Sequence, residues 1–327
     1  MVIDCGPKIL IINPSGISAS FPANFALMRL LIFFAACLSI TGRAYAQVTY
    51  MGMIGSFPIE MATKFYSDNN VHAVYAYTKF HDPIVMNGKT ENGKMVFYET
   101  DKKEHKTASL TFSVFSKKAA TLSGTWRNMV SGKELPVTLH KEFDIEDLSP
   151  GKRLDREILQ GSAMKQNYFR IVAGLRNGDS AMYVKGVKIL DKKTDKLIQL
   201  VTPDGEFDCE LSGGGLHSVE VGDYNFDGFE DFSIFETSYA GPNTSSLYYL
   251  YDPNAKQFFK SSFEGVSLEF DKKTKTISEL NQCCAGRQQT LKKYKVVNNK
   301  MVLTEQHCLI LDEHKDRYIE HKMKDCE

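Results

Sequence analysis

Short stretches of alternating apolar and polar residues, broken by Gly, Asn and Asp turn signals, run from Val48 almost to the last residue. Period-two alternation marks a half-buried strand, because successive side chains leave opposite faces. Leu110-Thr111-Phe112-Ser113-Val114 alternates cleanly and predicts Leu110, Phe112 and Val114 on one strand face. Asn92-Gly93 before Met95 is a tight hairpin signal, and Asn87-Gly88 and Ser131-Gly132 mark further turns. The polar stretch 143–166, with Pro150-Gly151 inside it, reads as a linker with a helical turn over 155–160.

Beyond it hairpins recur, with turns over 191–195, 252–255, 271–275, 298–300 and 312–316. Each opens on Asp or Asn, as solvated hairpin tips do. The short Lys-rich runs in them read as solubility features. Serial hairpins at roughly even spacing predict a β-propeller or a β-sandwich, and no repeat is sharp enough to count blades. The expected fold is therefore mainly β. An N-terminal antiparallel β-meander, sandwich or barrel-like, spans 47–142, and a C-terminal β-propeller-like domain spans 167–327.

The start of the chain departs from this pattern. Met28-Arg29, an apolar run from Leu30 to Leu38, and Ala44-Tyr45-Ala46 read as a secretory signal peptide over 28–46, cut before Gln47. Residues 1–27 then precede the true start. The run is shorter than the ~20 residues that span a bilayer, so the mature chain is expected to be periplasmic or secreted, not membrane-spanning.

Composition narrows the classes. Of 327 residues, 43% are apolar and 24% charged, and 40 Lys+Arg balance 40 Asp+Glu. A disordered chain is excluded, and no basic excess points to nucleic acid. Removing residues 1–46 takes away Lys8, Arg29, Arg43 and Asp4, leaving a slightly acidic chain. Cys5 and Cys37 go with them. Cys209, Cys283, Cys284, Cys308 and Cys326 remain, enough for at most two disulfides of open connectivity in an oxidising compartment.

One motif carries recognisable chemistry. Residues 222–232 read Gly-Asp-Tyr-Asn-Phe-Asp-Gly-Phe-Glu-Asp-Phe. Asp223, Asn225 and Asp227 alternate, Gly228 allows a sharp turn, the Phe229 carbonyl adds an oxygen, and Asp231 ligates directly or through water. Calcium wants six to eight such oxygens. The bidentate Glu usual at position twelve is replaced by Ile234, which predicts weak, loop-fixing Ca2+ binding. The other reading is an acidic Asx-rich turn.

The N-terminal stretch 53–59, the Tyr75/Tyr77 strand and Gly124-Thr125-Trp126 resemble a small β-meander module of secreted bacterial proteins. The stretch 221–231, then Tyr239-Ala240-Gly241-Pro242-Asn243, Tyr248-Tyr249-Leu250-Tyr251-Asp252 and Phe258-Phe259, resembles a periplasmic immunity-protein family associated with bacterial type IV secretion systems. Cys283-Cys284 is similar to secreted relatives of that group. The resemblance covers roughly 185–325. It implies a propeller-like scaffold with an EF-hand-type calcium loop that inhibits a lysozyme-like peptidoglycan hydrolase delivered as a toxin.

No nucleophile elbow, phosphate-binding glycine loop or His-Glu-x-x-His motif is present. His307, His314 and His321 with Cys308 and Cys326 do not converge locally in sequence. A non-enzymatic binding protein is therefore expected, and the resemblance implies that it inhibits a peptidoglycan hydrolase; the segment 238–244 is a candidate contact loop or an ordinary inter-strand turn. The alternative is a cell-envelope or carbohydrate-binding module, with Tyr248 or Tyr249 as exposed stacking surfaces.

Overall fold

The computed structural model describes residues 46–144, 155–175, 182–204, 209–211 and 215–326. The expected signal segment up to residue 45, Pro150-Gly151 and Gly213-Gly214 lie outside the described residues.

Eight strands come first: β1 (Ala46–Ile54), β2 (Phe57–Phe65), β3 (Asn70–Tyr77), β4 (Ile84–Glu91), β5 (Lys94–Thr100), β6 (Lys106–Phe112), β7 (Thr121–Asn128) and β8 (Glu134–Asp144). They pair in sequence order, and β1 also pairs with β8, which closes a barrel. Eight strands leave an interior that side chains can fill. Tyr50, Tyr75, Phe97, Phe112, Met61, Met86 and Met95 fill it, all fully buried. An apolar lumen is the reverse of a membrane barrel's polar one.

The turn chemistry at Asn92-Gly93 and Gly132 is as the sequence reads, all three residues having positive φ. Asn87-Gly88 is different, for it lies inside β4. A Cβ on Gly88 would sit 2.1 Å from the Val96 carbonyl oxygen, so this glycine permits close strand approach and makes no turn. Leu110 and Phe112 point into the barrel, but Val114 lies past the end of β6 and is exposed. Trp126 sits half-buried at the rim, its Nε1 donating to Glu99 Oε1 at 2.8 Å.

The helical turn expected over 155–160 is replaced by strand. Residues 156–163 form β9 (Arg156–Ala163), because Ile158, Leu159 and Gln160 are buried and pair β9 with β10 (Asn167–Leu175). β11 (Met182–Asp191) and β12 (Leu197–Val201) complete this four-stranded meander. A second follows: β13 (Val219–Gly222), β14 (Asp231–Ser238), β15 (Thr244–Asp252) and β16 (Gln257–Lys260). A third has five strands: β17 (Leu268–Asp271), β18 (Thr276–Cys283), β19 (Gln288–Val297), β20 (Lys300–Asp312) and β21 (Arg317–His321). The chain is mainly β, a closed barrel followed by antiparallel sheets.

The same turn chemistry separates these strands. Asp191, Asp252, Asp271 and Asp312 each accept the backbone N–H of the residue two places on, at 2.8–3.1 Å. Gln160 ties the first meander to the start of the second. Its Nε2 donates to the carbonyls of Ile158 and Gly215, and its Oε1 accepts from the N–H groups of Ser218 and Val219.

One strand explains the serial packing. On β15, Leu247 and Tyr249 join the core shared with the first meander and the barrel's Ala62, Val74 and Ala76. Tyr248 and Leu250, on the opposite face, join the core shared with the third meander. A strand buried on both sides reads as a continuous apolar run, as residues 247–251 do.

Candidate functional site

The loop between β13 and β14 holds Asp223, Asn225, Asp227 and Phe229 of the calcium motif, and Asp231 opens β14. Residues 223–230 form no strand but a series of bends, with Phe226 at φ +63°. Tyr224 and Phe226 are buried against Tyr248 and Phe270 in the core beneath. Asp223, Asn225 and Asp227 occupy the intervening positions, and their polar atoms meet on the loop's own backbone. Asp223 Oδ1 and Asn225 Oδ1 both accept the Asp227 N–H, at 3.0 and 3.2 Å. Asp223 Oδ2 accepts the Gly228 N–H at 3.2 Å. Asn225 Nδ2 donates to Asp227 Oδ2 at 2.8 Å and to Asn299 Oδ1 at 3.0 Å. Gly228 has φ +93°, a conformation that glycine takes freely.

Asp231 stands apart from this group. It is wholly buried at the first position of β14. Its Oδ2 accepts the Tyr224 N–H and its Oδ1 the Tyr251 N–H, each at 2.9 Å. Burial pushes its carboxyl up to about 6, while those N–H groups pull it down and the Asp227 charge raises it. Phe229 is exposed, its ring 5.8 Å from that of Tyr251. Glu230 is also exposed, and its Oε2 accepts the Lys165 N–H at 3.0 Å.

Fold and sequence therefore bring Asp223, Asn225 and Asp227 together and turn Asp231 toward the base of the loop. The donors are all oxygens, three carboxylates and an amide, which is the chemistry a hard cation prefers. Among the described residues, no three His, Cys, Asp or Glu side chains are gathered closely enough to form a metal cluster as they stand.

The turn over 238–244, at the opposite end of β14, is built differently. Ser238 to Pro242 are exposed, Tyr239 by 39%. Asn243 is buried and anchors them. Its Oδ1 accepts the Gln282 N–H at 3.0 Å, and its Nδ2 donates to the Gln282 carbonyl at 2.7 Å and to Asn281 Oδ1 at 3.0 Å. A solvent-facing tip is thus fastened to β18 of the next sheet. Sequence alone could place the turn, but not a partner 39 residues away.

One other expectation changes. Tyr248 and Tyr249 are 7% and 3% exposed, so they belong to the cores on either side of β15 and present no stacking surface. The His and Cys residues near the C-terminal end do not gather either. Cys308 and Cys326 form a disulfide, and His307 is held by Glu305 and Glu320.

A feature not legible in sequence is a groove of about 840 Å³ on the outer barrel wall. Asn70, Asn87, Asn92, Lys89 and Lys94 line it, with Lys106 Nζ 3.6 Å from the Tyr98 ring centre. Strand pairing assembles it from β3, β4 and β5, Asn70 lying opposite Lys89 and Asn87 opposite Tyr98.

Among the described residues no helix is long and apolar enough to cross a membrane. No family model matches the chain, and no curated protein matches it. Among solved structures, the chain is similar to one described as "Structure of a Xanthomonas Type IV Secretion System related protein". The match covers 84% of this chain and 99% of that one, at 12% identity and a TM-score of 0.27. At that score the likeness carries no functional weight.

Proposed function

We propose that this chain is a periplasmic or secreted, non-enzymatic protein that binds and inhibits a peptidoglycan hydrolase, with the 238–244 turn as its contact loop. The observation that carries this reading is the burial of Asn243 under an exposed tip, held by three hydrogen bonds to β18. An inhibitor gains from a loop ordered before binding, because less conformational entropy is then lost on contact. The sequence resemblance around 219–259 supports the same class of target.

Calcium is part of this proposal. Asp223, Asn225 and Asp227, with the Phe229 carbonyl, would hold it, and Asp231 would contribute through water while pinning the loop base. Bound there, the cation would neutralise the loop's carboxylates and stiffen it. The test of the whole reading is inhibition, by the purified protein, of a panel of lysozymes and of any peptidoglycan hydrolase found among the products of the neighbouring genes. Loss of hydrolysis in at least one case is expected. Unimpaired turnover throughout would overturn it.

A second reading, binding of cell-wall glycan without inhibition, is favoured by the barrel groove. Its amides could pair with sugar hydroxyls, and Lys89 and Lys94 could meet the carboxylates of peptidoglycan peptides. Co-sedimentation with purified peptidoglycan, lost in the Lys89→Glu/Lys94→Glu double variant, would support it. Absence of co-sedimentation would remove it.

A further inference from the structure

The sulfurs of Cys283 and Cys284 lie 2.9 Å apart on the exposed surface. In a continuing strand, neighbouring side chains would leave opposite faces. Here β18 ends, and Cys284, Ala285 and Gly286 follow with φ of +56°, +57° and +83°. Two consecutive L residues in the left-handed region are costly and persist only where the surroundings impose them. Those surroundings are present. The Arg287 N–H donates to the Cys284 carbonyl at 3.2 Å, Tyr318 donates its hydroxyl to the Gly286 carbonyl at 2.5 Å, and Gln289 Nε2 donates to that hydroxyl at 2.9 Å. On the other side, Asn243 grips both backbone groups of Gln282, the residue just before the pair.

We propose that Cys283 and Cys284 form a vicinal disulfide, the readily reducible bond of this protein, and that its state sets the stiffness of the 238–244 turn. A thiolate of one cysteine attacks a disulfide of an oxidant, either oxidised glutathione or a thiol–disulfide oxidoreductase, and expels one of its sulfurs as thiolate. The second cysteine thiolate then attacks the mixed disulfide. The S–S bond of the pair forms, the oxidant leaves as two thiols, and the protons lost by the cysteines end on them. Adjacent Cα atoms are about 3.8 Å apart across a trans peptide, whereas ordinary disulfides span roughly 4.4–6.8 Å. A bond forced across that shorter span is strained and opens easily, as regulatory disulfides do. Cys308–Cys326, with Cα atoms 5.8 Å apart and Cys308 wholly buried, is the structural bridge.

The bond itself is independent of the inhibitor reading. Only its consequence for the 238–244 turn rests on that turn being a contact loop. The test starts from the full mature protein equilibrated with oxidised glutathione, capped with iodoacetamide and digested with trypsin. Both cysteines fall in peptide 276–287, which contains no other cysteine. The expected result is that peptide uncapped and lighter by two hydrogens. It should become doubly capped after a mild reductant pulse that leaves Cys308–Cys326 closed. Double capping after oxidation, a glutathione adduct, a cross-link to Cys209, or simultaneous opening of both bridges would each overturn the proposal. Amide exchange over 238–244 should be faster in the reduced protein than in the oxidised one, with no redox dependence in Cys283→Ser. Equal exchange in both states would overturn the coupling, whatever the inhibition assay gives.

Discussion

Glu60 on β2 and Arg170 on β10 meet at 2.8 Å, joining the barrel wall to the first meander by a largely buried ion pair. Burial raises the Glu60 pKa, and the Arg170 guanidinium beside it pulls the other way. The same guanidinium lies 5.6 Å from the Tyr168 ring, on which His81 stacks. Removing one partner leaves a charge without water or counter-ion. Arg170→Met should therefore cost about 3 kcal/mol in urea unfolding. The Glu60→Gln/Arg170→Met double variant should recover most of it, because no orphan charge remains. A double variant as unstable as the single one would show that packing, not charge, decides the seam.

The calcium proposal separates two kinds of residue in one loop. Asp227 is exposed, so Asp227→Ala should leave the metal-free protein nearly as stable as the original. It should also abolish the rise in Tm that calcium gives. Asp231→Ala removes the carboxylate that accepts the Tyr224 and Tyr251 N–H groups, and should cost about 2 kcal/mol or more with or without metal. Calorimetry in calcium and in chelator distinguishes the two. Superimposable melting curves for the unmodified protein would sink the calcium assignment.

His307 supplies a pH signature. Its ring nitrogens reach Glu320 at 2.6 Å and Glu305 at 2.8 Å, and these carboxylates raise its pKa above the ordinary 6.5. The folded value exceeds the unfolded one. The stabilisation is therefore complete below about pH 6.5 and is lost as pH rises through the folded value. The Tm advantage over His307→Gln should be present near pH 5.5 and vanish in alkaline buffer, and be reduced by salt because the site is exposed. A difference independent of pH would mean that the imidazolium plays no part.

How far the fold could be read depended on whether the signal was local. Asp191, Asp252, Asp271 and Asp312 announce their hairpins because each satisfies its own turn. The loop at 223–228 was legible as an Asx-rich turn for the same reason: Asp223 and Asn225 accept N–H groups within five residues of themselves, although Asn225 also reaches Asn299. What failed was decided at long range. β9 looked like linker because its polar ends hide Ile158 and Leu159, buried by strands that arrive later. Tyr248 and Tyr249 looked like exposed aromatics because a strand sandwiched between two sheets has no polar face to betray it. Gly88 looked like a turn because an Asn-Gly pair does not reveal that a neighbouring carbonyl needs its Cβ absent.

Asn243 is where the inhibitor reading can be tested without unfolding the protein. Its side chain fills three hydrogen bonds at a buried position while its neighbours from Ser238 to Pro242 face solvent. Asn243→Ala leaves the Gln282 backbone groups and Asn281 Oδ1 short of partners, at a cost of about 1–3 kcal/mol. If the turn is a preordered contact, the variant should remain folded, show faster amide exchange confined to 238–244 and its anchor, and inhibit the hydrolase at least tenfold less well. The loss should appear mainly in the dissociation rate, since ordering the loop on contact weakens the complex once formed. Asn243→Asp retains the acceptor for the Gln282 N–H but loses both donated bonds, so its inhibition should be impaired as well. Full inhibition by both variants, with the turn loosened, would move the contact surface elsewhere on the molecule.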